Sequence, residues 1–383
     1  MGLFLDLLHV PESVTNDALE GIYKAMADGH DHGDDGIWKA HESLLVKRLV
    51  ELFTERGLMR LDAVQQQFLA WQSGANHKPT TSPVPPPGMM ARWSEAELAL
   101  ARLYLESLPP AAWSLDDHML AIEYVVQTYL PAGDLVKEAD WLATKATMMG
   151  KVQANLAGAK VTSNQADAIL AALPSALDDV VSMSGPARSV LVFSRARAAE
   201  SVRALSDSVR HRMRSVVTQH LEQAALGGSP AGGSSLQTKL ADEFAVLNRD
   251  WRRIAITEAG EAQLQGYVAS LKPGTKIKRV ERYQNACSFC RGIDGKIATV
   301  VAADSPDKNP ETMVWPGKNN LGRSASPRKR VGDVLVPREP DEMWWLPAGL
   351  AHPHCRGRWV PTIEDLPGDD PEFGEQLRSI LSG

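Results

Sequence analysis

Cys287-Ser-Phe-Cys290 and, far downstream, His352-Pro-His-Cys355 decide how this chain is read. Each half carries two donor residues separated by two others, so both members of a pair can reach one ion from a tight turn. Two thiolates, an imidazole and a third thiolate make the donor set that tetrahedral zinc prefers. Cys287, Cys290, His352 and Cys355 are the preferred ligands, with His354 as the alternative to His352. Four protein ligands fill a tetrahedron and leave no position open to water, so the site reads as structural rather than catalytic. All three cysteines of the chain fall in this arrangement. An odd count argues against a disulfide framework, and no βαβ pattern surrounds the CxxC as a thioredoxin-like redox pair requires.

Outward from the first cysteine pair the texture is that of short strands. Lys276-Ile-Lys-Arg-Val-Glu-Arg-Tyr283 precedes it and Lys296-Ile-Ala-Thr-Val-Val301 follows, with further strand candidates at 331–336 and 343–346. Glycine and proline punctuate these runs. Upstream, apolar residues recur at helical steps. Leu44, Leu45, Leu49, Leu52 and Phe53 begin one helix, and Leu58, Leu61, Val64, Phe68 and Trp71 extend it. Ser94-Glu-Ala-Glu97 is a capping-box pattern that opens another. Helical stretches follow over 115–130, 134–157, 163–182, 186–226 and 236–267. The proline-rich run His77 to Gly88 and the Ser229 to Ser235 segment read as connectors. The expected class is α+β: a mainly helical N-terminal region, then a small zinc-stapled α+β domain with a short antiparallel sheet. The expected segments are 1–76, a linker over 77–92, a helical domain over 93–228, the α+β domain over 235–365, and an acidic tail over 366–383.

Net charge is −6 over 383 residues, so the molecule is not a polycation and nucleic-acid contact needs a local basic face. Two candidates exist: Arg195, Arg203, Arg210 and Arg214 on the long helix, and Arg328, Lys329 and Arg330 on a loop. Both are candidate DNA or portal contacts, against the plainer reading of a solvated helix face. The Trp344-Trp345 pair reads as core or interface rather than a base-stacking platform. No apolar run is long enough to span a bilayer, and the apolar start, Met1 to Val10, lacks the basic flank of a signal peptide.

Several apparent motifs fail on spacing. Gly29 to Gly36 lacks the terminal glutamate of a calcium loop, and His41-Glu42 lacks the second histidine of a zinc-protease helix. Gly317-Lys318 lacks the upstream glycine of a phosphate-binding loop. Thr257-Glu258 reads as a pair that caps or hydrogen-bonds across the helix-to-sheet junction rather than as a catalytic carboxylate.

Arg252-Arg-Ile-Ala-Ile-Thr-Glu258, Cys287-x-x-Cys290, Ile293-Asp-Gly-Lys296 and His352-Pro-His-Cys-Arg356 occur in an order that resembles the phage Mu F-like head morphogenesis family. The resemblance covers about 240–360. It departs at Ile256, where the family has arginine, and at Gly357, where the family has a second cysteine. It implies a structural, non-enzymatic minor capsid protein with portal protein, capsid or scaffold proteins and phage DNA as partners and no membrane. The implied location is the capsid interior near the portal, reached from the host cytoplasm during assembly. A zinc-stabilised nucleic-acid-binding protein and an enzyme, such as a nuclease or toxin carrier, are the rival readings. The chain ends soon after Trp359, which is expected to leave no space for an appended effector.

Overall fold

The computed structural model describes residues 44–79, 84–89, 92–156, 161–180, 183–227, 235–283 and 286–362. The apolar start, the Gly29 to Gly36 loop, His41-Glu42, most of the Ser229 to Ser235 connector and the acidic tail lie outside them. The protein is mainly helical, with a small mixed sheet in its C-terminal region. The helices are α1 (Leu44–Gln72), α2 (Glu95–Ser107), α3 (Leu115–Tyr129), α4 (Ala132–Leu156), α5 (Ser163–Ala172), α6 (Gly185–Ala225), α7 (Leu236–Ala269) and the short α8 (Ser288–Ile293). The strands are β1 (Lys276–Val280), β2 (Ile297–Val300), β3 (Met313–Val314), β4 (Arg328–Val331), β5 (Val334–Pro337) and β6 (Arg358–Pro361). Among the described residues no helix is long and apolar enough to cross a membrane.

Local chemistry sets several helix starts. Ser94, Ser114 and Thr162 each accept an amide from the third helical residue, and Glu97, Asp117 and Gln165 reach back to the cap. Each such cap is worth about 1 kcal/mol. α5 stops at Ala172, short of the expected 182, because Leu173 precedes Pro174 and is driven to ψ 143. Residues 77–79 and 84–89 of the proline-rich run form neither helix nor strand.

By internal contacts the chain divides into Met1–Glu51, Asp140–Arg197 and Ala255–Gly383 on one side, and Leu52–Ala139 with Ala198–Ile254 on the other. Within the second unit, Trp251 stacks on Phe53 at 4.8 Å and donates its indole N–H to the Phe53 carbonyl. Glu123, almost fully buried, accepts from both Arg210 (3.1 Å) and Arg214 (3.0 Å).

Within the first unit, α7 lies against the sheet. Leu264, Tyr267, Val268 and Leu271 share one core with Ile277, Val300, Val314, Leu346, Leu350 and Trp359, and Cys290 and Cys355 are members of it. The sheet order is β3-β2-β1-β6. β1 pairs antiparallel with β2 and β6, but β2 and β3 run parallel, so the sheet is mixed rather than antiparallel. The long excursion over 301–312 returns the chain to the side where β2 began and lays Met313–Val314 alongside in the same sense. The strand expected at 331–336 is a hairpin, β4–β5, while 343–346 makes only one bridge, Ser324 to Met343. There the indoles of Trp344 and Trp345 donate to Arg323 and Asn319 carbonyls, and the backbone follows these anchors rather than a ladder.

Candidate metal centre

β1 enters the site with Ile277 and Arg279 on its inward face, as strand alternation requires, and Glu281, just past its end, is buried on the same side. After the turn at Cys287 the chain forms α8, a single and a half turns long, with the Cys287 sulfur accepting the Cys290 amide at its N-terminus (3.4 Å). This local cap faces both sulfurs of the CxxC towards one point. The other half arrives on the loop over 350–357, which precedes β6 and is fastened by α7. Glu261 accepts the Leu350 amide (2.5 Å) and Thr257 Oγ1 accepts the His354 amide (2.8 Å). Glu258 is held in turn by Arg197 at 2.7 Å. Thr257 therefore fastens that loop, and Glu258 is tied into an ion pair with Arg197.

The donor atoms converge. His352 Nε2 lies 3.4 Å from Cys287 Sγ and 3.3 Å from Cys290 Sγ, and Cys290 Sγ lies 3.8 Å from Cys355 Sγ. Cys287, Cys290 and His352 form one compact donor group, and Glu281, Cys290 and Cys355 form a second that shares Cys290. The four residues named from the sequence thus make one candidate metal-binding cluster. His352 rather than His354 faces the sulfurs. His354 sits at φ 61, the one described non-glycine residue at positive φ, and its amide is spent on Thr257. His352 Nδ1 meets the Pro353 carbonyl at 2.8 Å, and Nε2 is the ring nitrogen turned to the sulfurs. Trp344 stacks on the imidazole at 5.4 Å and Phe289 packs edge-on against Trp344, so the group is shielded on that side.

Electrostatics fit a cation. Hydrogen bonding from Cys290, with further help from His352, brings the Cys287 thiol down to about 3 against the effect of burial. For Cys355 burial pushes upward, but Cys290, His352 and Arg279 together hold it well below the usual thiol range. Cys290, hydrogen-bonded to both neighbouring sulfurs, is pushed up and keeps its proton. His352 is lowered by burial yet ends raised to about 9, because the Cys287 and Cys355 sulfurs favour its charged form. Without an ion the imidazolium supplies the missing positive charge. A divalent ion held by these residues would take its place, and would have to displace the protons on His352 and Cys290.

The sequence reading missed Arg279 and Glu281. Both side chains are fully buried, 2.6 Å apart. Arg279 also donates to the Gly349 carbonyl (2.9 Å) and lies over the Trp359 ring. Glu281 comes within 3.6 Å of Cys355 Sγ, and burial beside that sulfur raises its carboxyl to about 8. A Cβ at residue 357 would fall 1.9 Å from the Glu281 carboxylate, so only glycine fits there. The signal lay in the sequence: with Ile277 inward, strand period places Arg279 and Glu281 inward too.

The other candidates are placed as follows. Arg195 is paired with Asp140, and Arg210 and Arg214 with Glu123, so these three are largely neutralised. Arg203 is more open and pairs loosely with Glu200 at 3.6 Å. Lys329 pairs with Glu342, whereas Arg328 and Arg330 project from β4. Lys318 is buried, donates to the Pro310 and Met313 carbonyls, and lies between the Trp315 and Trp345 rings. It is thus a core tie. No family model, curated protein or solved structure matches the chain.

Proposed function

We propose that this chain is a non-enzymatic minor head protein of a tailed phage, built around a structural zinc ion held by Cys287, Cys290, His352 and Cys355. The observation that carries the reading is the convergence of separate resembling motifs on one site. Thr257 from the first motif fastens the His352–Cys355 loop, Cys287 and Cys290 face it, and Asp294 of the third accepts the Glu281 amide at 2.9 Å. Sequence order alone gives no reason for those stretches to travel together, whereas a common metal-pinned core does.

Three of the donor–donor edges lie near those that zinc would set, while Cys355 shares its compact donor group with Cys290 and Glu281. Bonds of about 2.3 Å to sulfur and about 2.0–2.1 Å to nitrogen set tetrahedral edges of about 3.8 Å between sulfurs and about 3.6 Å between sulfur and nitrogen. The sulfur pair at 3.8 Å and the sulfur–nitrogen pairs at 3.3–3.4 Å lie close to these. Such an ion contributes several kcal/mol of folding energy, up to about 10 or more in small modules. On this reading the protein joins the portal vertex during procapsid assembly, with portal, capsid or scaffold proteins as neighbours and packaged DNA as a further contact.

The test is mass spectrometry of purified procapsids and virions separated from soluble protein. Co-purification at low copy relative to the major capsid protein is expected. Particles that form normally while the chain stays soluble would refute the role.

A further inference from the structure

The sulfurs of the cluster differ in what surrounds them. Cys287 is partly exposed, so water can reach its sulfur, whereas Cys290 and Cys355 are buried. A buried thiolate is stable only where protein donors replace its water. Cys355 Sγ is supplied in this way. The Gly357 amide lies at 3.4 Å, the Tyr283 hydroxyl at 3.5 Å and Arg279 Nη2 at 4.0 Å. A thiolate has no proton to give, so towards the tyrosine hydroxyl it accepts. The same sulfur stands 3.6 Å from a Glu281 carboxylate oxygen on one side and 3.8 Å from Cys290 Sγ on the other. Arg279 is locked on three sides. Its Nε donates to Glu281 at 2.6 Å, its Nη1 donates to the Gly349 carbonyl at 2.9 Å, and the guanidinium lies over the Trp359 ring at 5.4 Å. These contacts fix the side chain and leave Nη2 towards Cys355. With both side chains of the Arg279–Glu281 pair fully buried, its charges are little screened by salt.

We infer that Arg279 and Tyr283 are positioning residues of the metal centre: they hold the Cys355 sulfur at the donor cluster as a thiolate, and Arg279 keeps the Glu281 carboxylate from driving that sulfur away. This rests on the metal reading proposed above. A carboxylate and a thiolate side by side repel, and a guanidinium that donates to both offsets the repulsion. The planar fork suits the task, because it serves Glu281, Gly349 and Cys355 through three different nitrogens. A lysine keeps the charge but has one nitrogen for the three acceptors. A second ion on the group formed by Glu281, Cys290 and Cys355 fits less well. Arg279 already sets a fixed positive charge against two of those three donors.

The test measures zinc transfer from the loaded, reduced full-length protein to a chromophoric chelator, and the absorption spectrum of the same protein saturated with cobalt(II). The variants are Tyr283→Phe, Arg279→Lys, Arg279→Met and Arg279→Met/Glu281→Gln. The expected result is a loss of zinc affinity on the order of 10–100-fold in Arg279→Lys, with a smaller loss in Tyr283→Phe. Both should move the thiolate-to-cobalt band to lower energy, because a sulfur stripped of its donors holds its electrons less tightly. A residue that only fills the core leaves that band in place. Arg279→Met should bind zinc more weakly than Arg279→Lys, and adding Glu281→Gln should recover part of the loss by removing the uncompensated carboxylate. In a Cys355→Ala background Arg279→Lys should leave the band unmoved. Folded Arg279→Lys and Tyr283→Phe with wild-type affinity and band position overturn the inference while leaving the metal reading intact. An equal shift in the Cys355→Ala background overturns it as well, since Arg279 then acts through another ligand. Where circular dichroism shows that the Arg279 variants do not fold, Tyr283→Phe decides alone, and an unmoved band overturns the inference. Wild type that holds no stoichiometric ion overturns the metal reading and this inference together.

Discussion

Replacing His354 with glycine should stabilise the protein and leave its metal in place. His354 adopts φ 61, a conformation that costs an L-residue about 1–2 kcal/mol. Glycine removes that strain but adds about 0.5–1 kcal/mol of unfolded-state entropy. The amide that Thr257 accepts is backbone and survives the change. The balance is a gain of about 0.5–1 kcal/mol, less whatever the half-buried imidazole contributes through its own interactions. His352→Gly should behave oppositely, losing the ion and several kcal/mol with it. Guanidinium denaturation with metal content measured on each folded variant separates the cases. Loss of one metal equivalent in His354→Gly, with retention in His352→Gly, would refute the assignment of Nε2 of His352 as the ligand.

Two further perturbations probe the frame that carries the site. A Cβ at Gly150 of α4 would fall 2.2 Å from the Gln263 carbonyl and 2.3 Å from the Tyr267 amide of α7. Gly150→Ala should gain up to about 1 kcal/mol of helix propensity but lose about 3 kcal/mol to overpacking against backbone that cannot yield, a net fall seen as a lowered denaturation midpoint. Lys318→Met leaves the Pro310 and Met313 carbonyls without a donor, costing about 1–3 kcal/mol. Burial pushes the Lys318 amine down to about 7 from its ordinary 10.5, so the unfolded chain binds more protons between those values. Wild-type stability then rises with pH across that window and the variant lacks this rise. The gap between them should widen from pH 7 to 9 by at most about 1 kcal/mol per unit, and a constant gap would contradict the titration.

Much of the helical part was legible because its signals are local. Ser94 with Glu97, the apolar steps through Phe68 and Trp71, and the glycines after Leu226 mark ends and faces without reference to distant residues. The cysteine and histidine set was legible for a related reason: metal chemistry restricts the donor types and their spacing. Pairings between distant residues were not. Nothing near Arg210 or Arg214 announces Glu123, which lies 87 and 91 residues away and converts part of an apparent basic face into an internal ion pair. Met343 to Leu346 has strand composition, but two indole anchors decide its path, and these are visible only once 319–323 is in place. Arg279 and Glu281 were hidden because charged residues are normally assigned outward. Only their shared phase with Ile277 argued otherwise.

The most direct test is the metal content of the purified, reduced full-length protein, with cobalt substitution to report the ligands. The account predicts one zinc per chain, thiolate-to-cobalt charge-transfer absorption that weakens stepwise in Cys287→Ala and Cys355→Ala, and loss of the C-terminal core's protection on chelation. Fully reduced, folded protein that binds no stoichiometric ion, or cobalt spectra unaltered by removal of either thiol, would contradict it.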